Sequence, residues 1–214
     1  MSAADDLNII RSYRNLRRII GILGFALPVV CLVWGFVLSG WGTIQPTISD
    51  YYELRTRDFF VGSLFAIACF LGTYRGPEPI DHYAGNLACV FALIVALFRA
   101  NGTGAEPYIH LFAAGLLLLT LAFFSYSLFT KTSGLITPQK LVRNKIYRGS
   151  AIIIVACVVV ILFLKVVVSA SSSFFNWHPV FWLEWAALWS FGVSWFVKGE
   201  TLFRDDPPTP SPQL

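Results

Sequence analysis

The stretch AIIIVACVVVILFL, from Ala151 to Leu164, contains no charged side chain and no polar group stronger than a thiol. It belongs to one of six apolar runs: Ile19–Gly40, Asp58–Tyr74, Ala84–Ala100, Tyr108–Thr130, Gly149–Ala170 and Pro179–Val197. A helix crosses the hydrocarbon core of a bilayer with roughly 20 apolar residues, and each run approaches that length. Strand alternation is absent. Only 13% of the residues are charged, about half the share typical of a soluble domain, so lipid is the solvent that suits this much apolar surface. The expected fold is all-α, a polytopic integral membrane bundle of six transmembrane helices over residues 19–198. Residues 1–18 read as a basic cytoplasmic lead-in, either an interfacial helix or a solvated segment. Residues 199–214 are Pro-rich and polar, and read as a disordered cytoplasmic tail. The first run is too long for a signal-peptide core and no cleavage site of the AxA type follows it, so it reads as a retained span.

Basic residues orient the bundle. Arg11, Arg14, Arg17, Arg18, Arg75, Lys131, Lys140, Arg143, Lys145, Arg148, Lys198 and Arg204 fall on one side of six spans, against Arg55, Arg57 and Arg99 on the other. The positive-inside rule then places both termini in the cytoplasm. Trp177 and Trp182 are expected at the outer interface, and Trp195 at the inner one. The net charge of +4 is thereby explained by topology, and no basic–aromatic groove for nucleic acid is evident. Cys31, Cys69, Cys89 and Cys157 lie in four different runs without metal-ligand spacing, and read as small apolar residues.

The segment QPTISDYYELRTRDFFVG, Gln45–Gly62, is unusually charged for its place between two apolar runs. Thr47 and Ser49 are candidate helix caps, and Glu53–Arg57 and Arg55–Asp58 have helical pairing distances. This spacing predicts a wet, charge-paired helical entry whose last acid, Asp58, turns into the bundle. Asp58 shares a face with Gly62 and Ala66, small residues that permit close helix approach. Arg99 follows Ala92 and Ala96, His110 precedes Ala113 and Ala114, and Glu184 precedes Ala187. Ionisable groups within spans are costly and face the protein interior or water. Asp58, Arg99, His110 and Glu184 are therefore expected to converge as a ligand-binding cluster near the outer surface. Lys165 is expected to snorkel to the headgroups, and His178 to cap a helix or join the aromatic belt.

Asp58, His110 and Glu184 are also the candidate catalytic residues, since a carboxylate–imidazole set suits a membrane-embedded lipid hydrolase, metal-dependent or not. No HExxH, paired HxxxH or GxSxG accompanies them, so no metal ligand is assigned, and a cofactor is left open. The alternative is structural: Arg99 neutralises one carboxylate, His110 bonds the other, and the network specifies helix packing. The leading reading is a non-enzymatic membrane protein that binds or organises membrane lipids, or supports a membrane-protein partner. A lipid hydrolase is the alternative, and a small-solute transporter a further one. On the inner side, Asp81 is placed to cap a helix beginning near Tyr83, and Asn86 calls for a partner.

The segments PTISDYY…RDFFVGSLFAIACFLGTYRG, AGNLACVFALIVALF and IHLFAAGLLLLTLAFFSYSLFT resemble the six-span DRAM/Frag/Sfk-type membrane proteins, and related bacterial membrane proteins of unknown function. The resemblance rests on the ISD after the first run, the aromatic start of the second, Asn86 and His110, and spans about Ile19–Thr130. It implies a six-helix bundle with both termini inside, roles in lipid organisation or trafficking, and no established catalytic centre. The corresponding localisation is a bacterial inner (cell) membrane, multi-pass.

Overall fold

The computed structural model describes residues 3–39, 44–132, 136–168, 172–200 and 202–203. They form six α-helices and no strand among the described residues: α1 (Ala3–Ser39), α2 (Arg57–Gly72), α3 (Pro79–Leu97), α4 (Glu106–Phe123), α5 (Pro138–Val167) and α6 (Pro179–Lys198). Short 3₁₀ turns at Ser49–Glu53 and Ser173–Trp177 precede α2 and α6, and a π-turn at Phe124–Leu128 extends α4. Each helix packs on its neighbours in chain order, and α6 closes on α1, so the six form a ring. Large apolar side chains are exposed around its perimeter, among them Val33, Trp34, Phe112, Val159 and Phe163. Five helices are long and apolar enough to cross a membrane. The exception is α2, whose 16 residues span about 24 Å, short of the ~30 Å hydrocarbon core.

Sequence chemistry sets the helix ends. Pro79, Pro107, Pro138 and Pro179 each stand in a first turn, where the missing N–H costs nothing. Thr137 caps α5 by accepting the Lys140 N–H at 3.0 Å. The Asp81 carboxylate reaches back to the Glu78 N–H at 2.9 Å, closing a capping box four residues before the expected helix start at Tyr83. The basic lead-in proves to be the first turns of α1, continuous with the apolar part.

One end of the ring gathers the cations. Arg18 donates to the Gly199 carbonyl at 3.0 Å, and Arg14 pairs with Glu200 at 3.1 Å, so the basic part of α1 meets the end of α6. Lys131 pairs with Glu78 at 2.8 Å across the α2–α3 and α4–α5 connections. Lys140 and Arg143, read from the sequence as cations that set topology between the fourth and fifth runs, are buried because α5 begins at Pro138 and turns both inward. The Lys140 ammonium donates to the Phe129 and Lys131 carbonyls at 2.9 and 3.0 Å, satisfying the end of α4. Trp195 lies at this end but is fully buried, with its ring 5.0–6.0 Å from those of Tyr74, Phe124, Phe129 and Phe191. It is a core residue, not a belt residue. Trp177 is exposed at the opposite end, and Trp182, Trp185 and Trp189 stack in a stripe along α6.

A close seam joins α1 to α6. A Cβ on Gly21 would lie 2.8 Å from the Phe196 nitrogen, and one on Gly192 would lie 3.0 Å from the Gly21 carbonyl oxygen. Backbones that close admit only glycine. The small-residue contact expected at Gly62 does not form: a Cβ there meets nothing within 4 Å.

Candidate functional site

At the end opposite the cations, part of the charged segment after α1 is a buried plug, while Glu53, Arg55 and Arg57 stay exposed as expected. Ile48, Asp50, Tyr51, Tyr52 and Thr56 are all buried. Leu54 is extended, with φ −100° and ψ 176°, so helix does not run from Ser49 into α2 and the expected Glu53–Arg57 pair loses its register. Neither it nor the expected Arg55–Asp58 ion pair is present among the described residues. Arg57 instead donates to the Tyr52 hydroxyl at 2.8 Å, with its guanidinium 4.6 Å from that ring's centre. The Tyr51 ring fits against α1 where Gly35 leaves room, since a Cβ there would lie 2.6 Å from Cε1.

Thr47 and Asp50 hold the plug's turn reciprocally. The Asp50 N–H donates to Thr47 Oγ1 at 3.1 Å, and the Thr47 N–H to Asp50 Oδ2 at 2.9 Å. The other carboxylate oxygen accepts the Asn101 side-chain amide at 2.6 Å, tying the plug to the α3–α4 connection. Two bonds tie it to α6: the Ile48 N–H donates to Glu184 Oε2 at 2.6 Å, and the Phe181 N–H to the Pro46 carbonyl at 3.1 Å.

His110, 5% exposed, stands in the first turns of α4. Its Nδ1 lies 2.7 Å from the Phe98 carbonyl oxygen, and its Nε2 2.9 Å from Ser49 Oγ. A carbonyl only accepts, so Nδ1 carries the proton and Nε2 is left with a lone pair. Ser49 Oγ therefore donates its proton to His110 Nε2.

Of the four residues expected to converge, the structure brings two together. His110 and Glu184 line one cavity of ≈ 270 Å³ with Thr47, Ser49, Tyr108 and Lys165. Asp58 is exposed at the start of α2, outside that cavity. The buried face of α2 runs through Phe60, Leu64, Ile67 and Leu71, and Asp58 and Gly62 lie opposite. Arg99 is also exposed, its guanidinium 5.9 Å from the Tyr52 ring centre. Asn101, two residues on, is the side chain that reaches the plug, through Asp50. Asn86 is likewise exposed on α3. Asp50 thus takes the place assigned to Asp58, and the signal for it lay in the Thr-x-x-Asp spacing from Thr47.

Lys165 does more than snorkel. It lines the 270 Å³ cavity and also a neighbouring one of ≈ 660 Å³ with Pro46, Leu164, Val168, Phe175 and His178. His178 begins α6 in a left-handed conformation, φ 51°. A third, apolar cavity of ≈ 70 Å³ shares Ser49 and Glu184 with the first, and is otherwise walled by residues such as Leu27, Phe60, Leu117 and Leu188. Among the described residues, no three His, Cys, Asp or Glu side chains are grouped to hold a metal ion. Comparisons with protein-family models, with curated proteins and with solved structures find no match.

Proposed function

We propose that this chain is an integral membrane protein that takes the headgroup of an amphiphile, a membrane lipid by preference, into the cavities at the end opposite its cations. In this reading it crosses the bilayer six times. The short α2 is completed by the buried plug, and both termini lie on the cytoplasmic side. The meeting of Arg14 and Arg18 with the end of α6 supports an even number of crossings, and the cations gathered there support the inward orientation.

One observation carries the ligand class. Lys165 stands on the wall shared by two cavities, beside the carboxylate of Glu184 and below the apolar residues Ile161, Leu164 and Val168 of α5. A cation beside an anion, with an apolar wall leading to the perimeter, suits an anionic or zwitterionic headgroup whose tail runs outward. Protein extracted in mild detergent is expected to retain phospholipid, detected by native mass spectrometry, and Lys165→Met to lose most of it. Adding phospholipid to delipidated protein at 100 times Kd should stabilise it by about 2.7 kcal/mol. Protein that retains no amphiphile, and whose melting is unmoved by added phospholipid, overturns the reading.

A further inference from the structure

The Ser49–His110 pair is more than a packing contact. The hydroxyl donates to a neutral imidazole at 2.9 Å, and the far nitrogen of that imidazole is fixed by the Phe98 carbonyl at 2.7 Å. That is a nucleophile hydrogen-bonded to a base, with the base oriented by a third group. A carbonyl replaces the more familiar carboxylate in the orienting role, and it enforces the same tautomer.

Position sharpens the argument. Ser49 lies on the wall of two cavities: one that holds the polar groups of Lys165, Tyr108 and Glu184 among mostly apolar walls, and one walled by Leu27, Phe60 and Leu117. An amphiphile seated across that boundary places its headgroup on one side and the first carbons of its chain on the other. In an acyl lipid, the bond at that junction is a carboxylic ester. The serine hydroxyl stands where the ester carbonyl would come to rest.

We infer that Ser49 is a nucleophile and His110 its general base, acting on the carboxylic ester of an amphiphile bound across the two cavities. Ser49 Oγ bonds to the ester carbonyl carbon while its proton passes to His110 Nε2. The C–O bond to the alcohol then breaks, and His110 returns the proton to the departing oxygen. A water molecule, deprotonated by the same nitrogen, cleaves the acyl-serine to a carboxylic acid and restores the hydroxyl. The Thr47 hydroxyl, whose oxygen already accepts the Asp50 N–H, keeps its own proton for donation. It lines the same cavity as Lys165, and the two supply donors for the transient oxyanion. No oxidant, reductant or metal ion enters the balance. Glu184 accepts the Ile48 N–H and so positions the turn that carries the nucleophile.

The inference rests on the amphiphile-binding reading, and a fluorophosphonate probe separates the two. Purified full-length protein in mild detergent, incubated with the probe, is expected to gain one adduct that peptide mass spectrometry maps to Ser49. Ser49→Ala should abolish the adduct, and His110→Gln should slow its formation on the order of 10²–10⁴-fold. Asp58→Ala, exposed and outside the cavities, should keep both the co-purified lipid and the adduct. No adduct on wild-type protein that retains lipid overturns the nucleophile and leaves the binding reading standing. An adduct at Ser49 that forms equally fast in His110→Gln overturns the dyad. An adduct at another residue overturns it too. Loss of both lipid and adduct overturns both readings.

Discussion

The seam between α1 and α6 allows a sharp test of what closes the ring. Substituting Gly21→Ala adds one methyl group directed at backbone: the Phe196 nitrogen at 2.8 Å, the Gly192 oxygen at 2.9 Å and Phe196 Cβ at 3.0 Å. Ordinary contacts of a Cβ begin at 3.4 Å, so the helices must part by about 0.6 Å, and no rotamer change can relieve the contact. Overpacking of this kind costs about 1–3 kcal/mol. Alanine also gains about 1 kcal/mol over glycine in a helix, and this gain must be removed from the comparison. Gly115→Ala in α4 and Gly149→Ala in α5 do so, because a Cβ at either position meets nothing within 4 Å. All three variants share the propensity gain, and Gly21→Ala alone carries the clash. At roughly 2–4 °C per kcal/mol for a chain of this size, Gly21→Ala should melt about 2–12 °C below both controls in mild detergent. The buried Trp195 gives a fluorescence signal for that transition. Equal melting temperatures for the three variants would refute close backbone packing as the source of ring closure.

Two further outcomes test the plug and the basic end. Asp50→Ala strands the Thr47 N–H and the Asn101 amide and should destabilise by about 1–3 kcal/mol, whereas Asp58→Ala, at an exposed position, should stay within about 0.5 kcal/mol of the parent; the same melting assay checks both, and the reverse order would restore Asp58 to the site. Tyr74, in the turn after α2, has its phenol pushed above the ordinary value of 10.0, chiefly by burial and against the Arg17 cation beside it. An unfolded chain ionises this phenol first, so the stability it contributes is present below pH 10 and falls as pH rises above that value. Tyr74→Phe should therefore lose stability less steeply than the parent above pH 10, and coincident pH profiles would contradict the burial.

Helix content and approximate positions were legible in the sequence, because long apolar runs and proline punctuation are local signals. The runs placed the starts of α4 and α6 closely, but put those of α3 and α5 late, at Ala84 and Gly149, because their polar first turns from Pro79 and Pro138 carry no apolar signal. Burial of His110 followed from the cost of an imidazole in an apolar run. Facing was harder. Asp58 with Gly62 and Ala66 makes as good an inward stripe on paper as Phe60 with Leu64 and Ile67, and in an apolar helix the hydrophobic pattern cannot choose between them. In α2 the face with Phe60, Leu64, Ile67 and Leu71 packs inward, together with the small Ser63 and Ala68, while Asp58 and Gly62 lie outside.

From its sequence alone, this protein was bound to be helical, apolar on its perimeter and cationic toward one end. Each of these follows from composition read along one dimension. Which polar groups meet was decided only by the tertiary structure. Ser49 finds His110 across 61 positions, and Ile48 finds Glu184 across 136. Asp50 finds Asn101 across 51. No spacing rule reaches that far. Asp58 lies outside because the face of α2 with Phe60, Leu64 and Ile67 is the one that packs, and ring closure by α1 and α6 seats the plug against α6. The buried polar groups there then select their partners by distance, because an unpaired donor or acceptor in so apolar an interior is too costly to leave unmet.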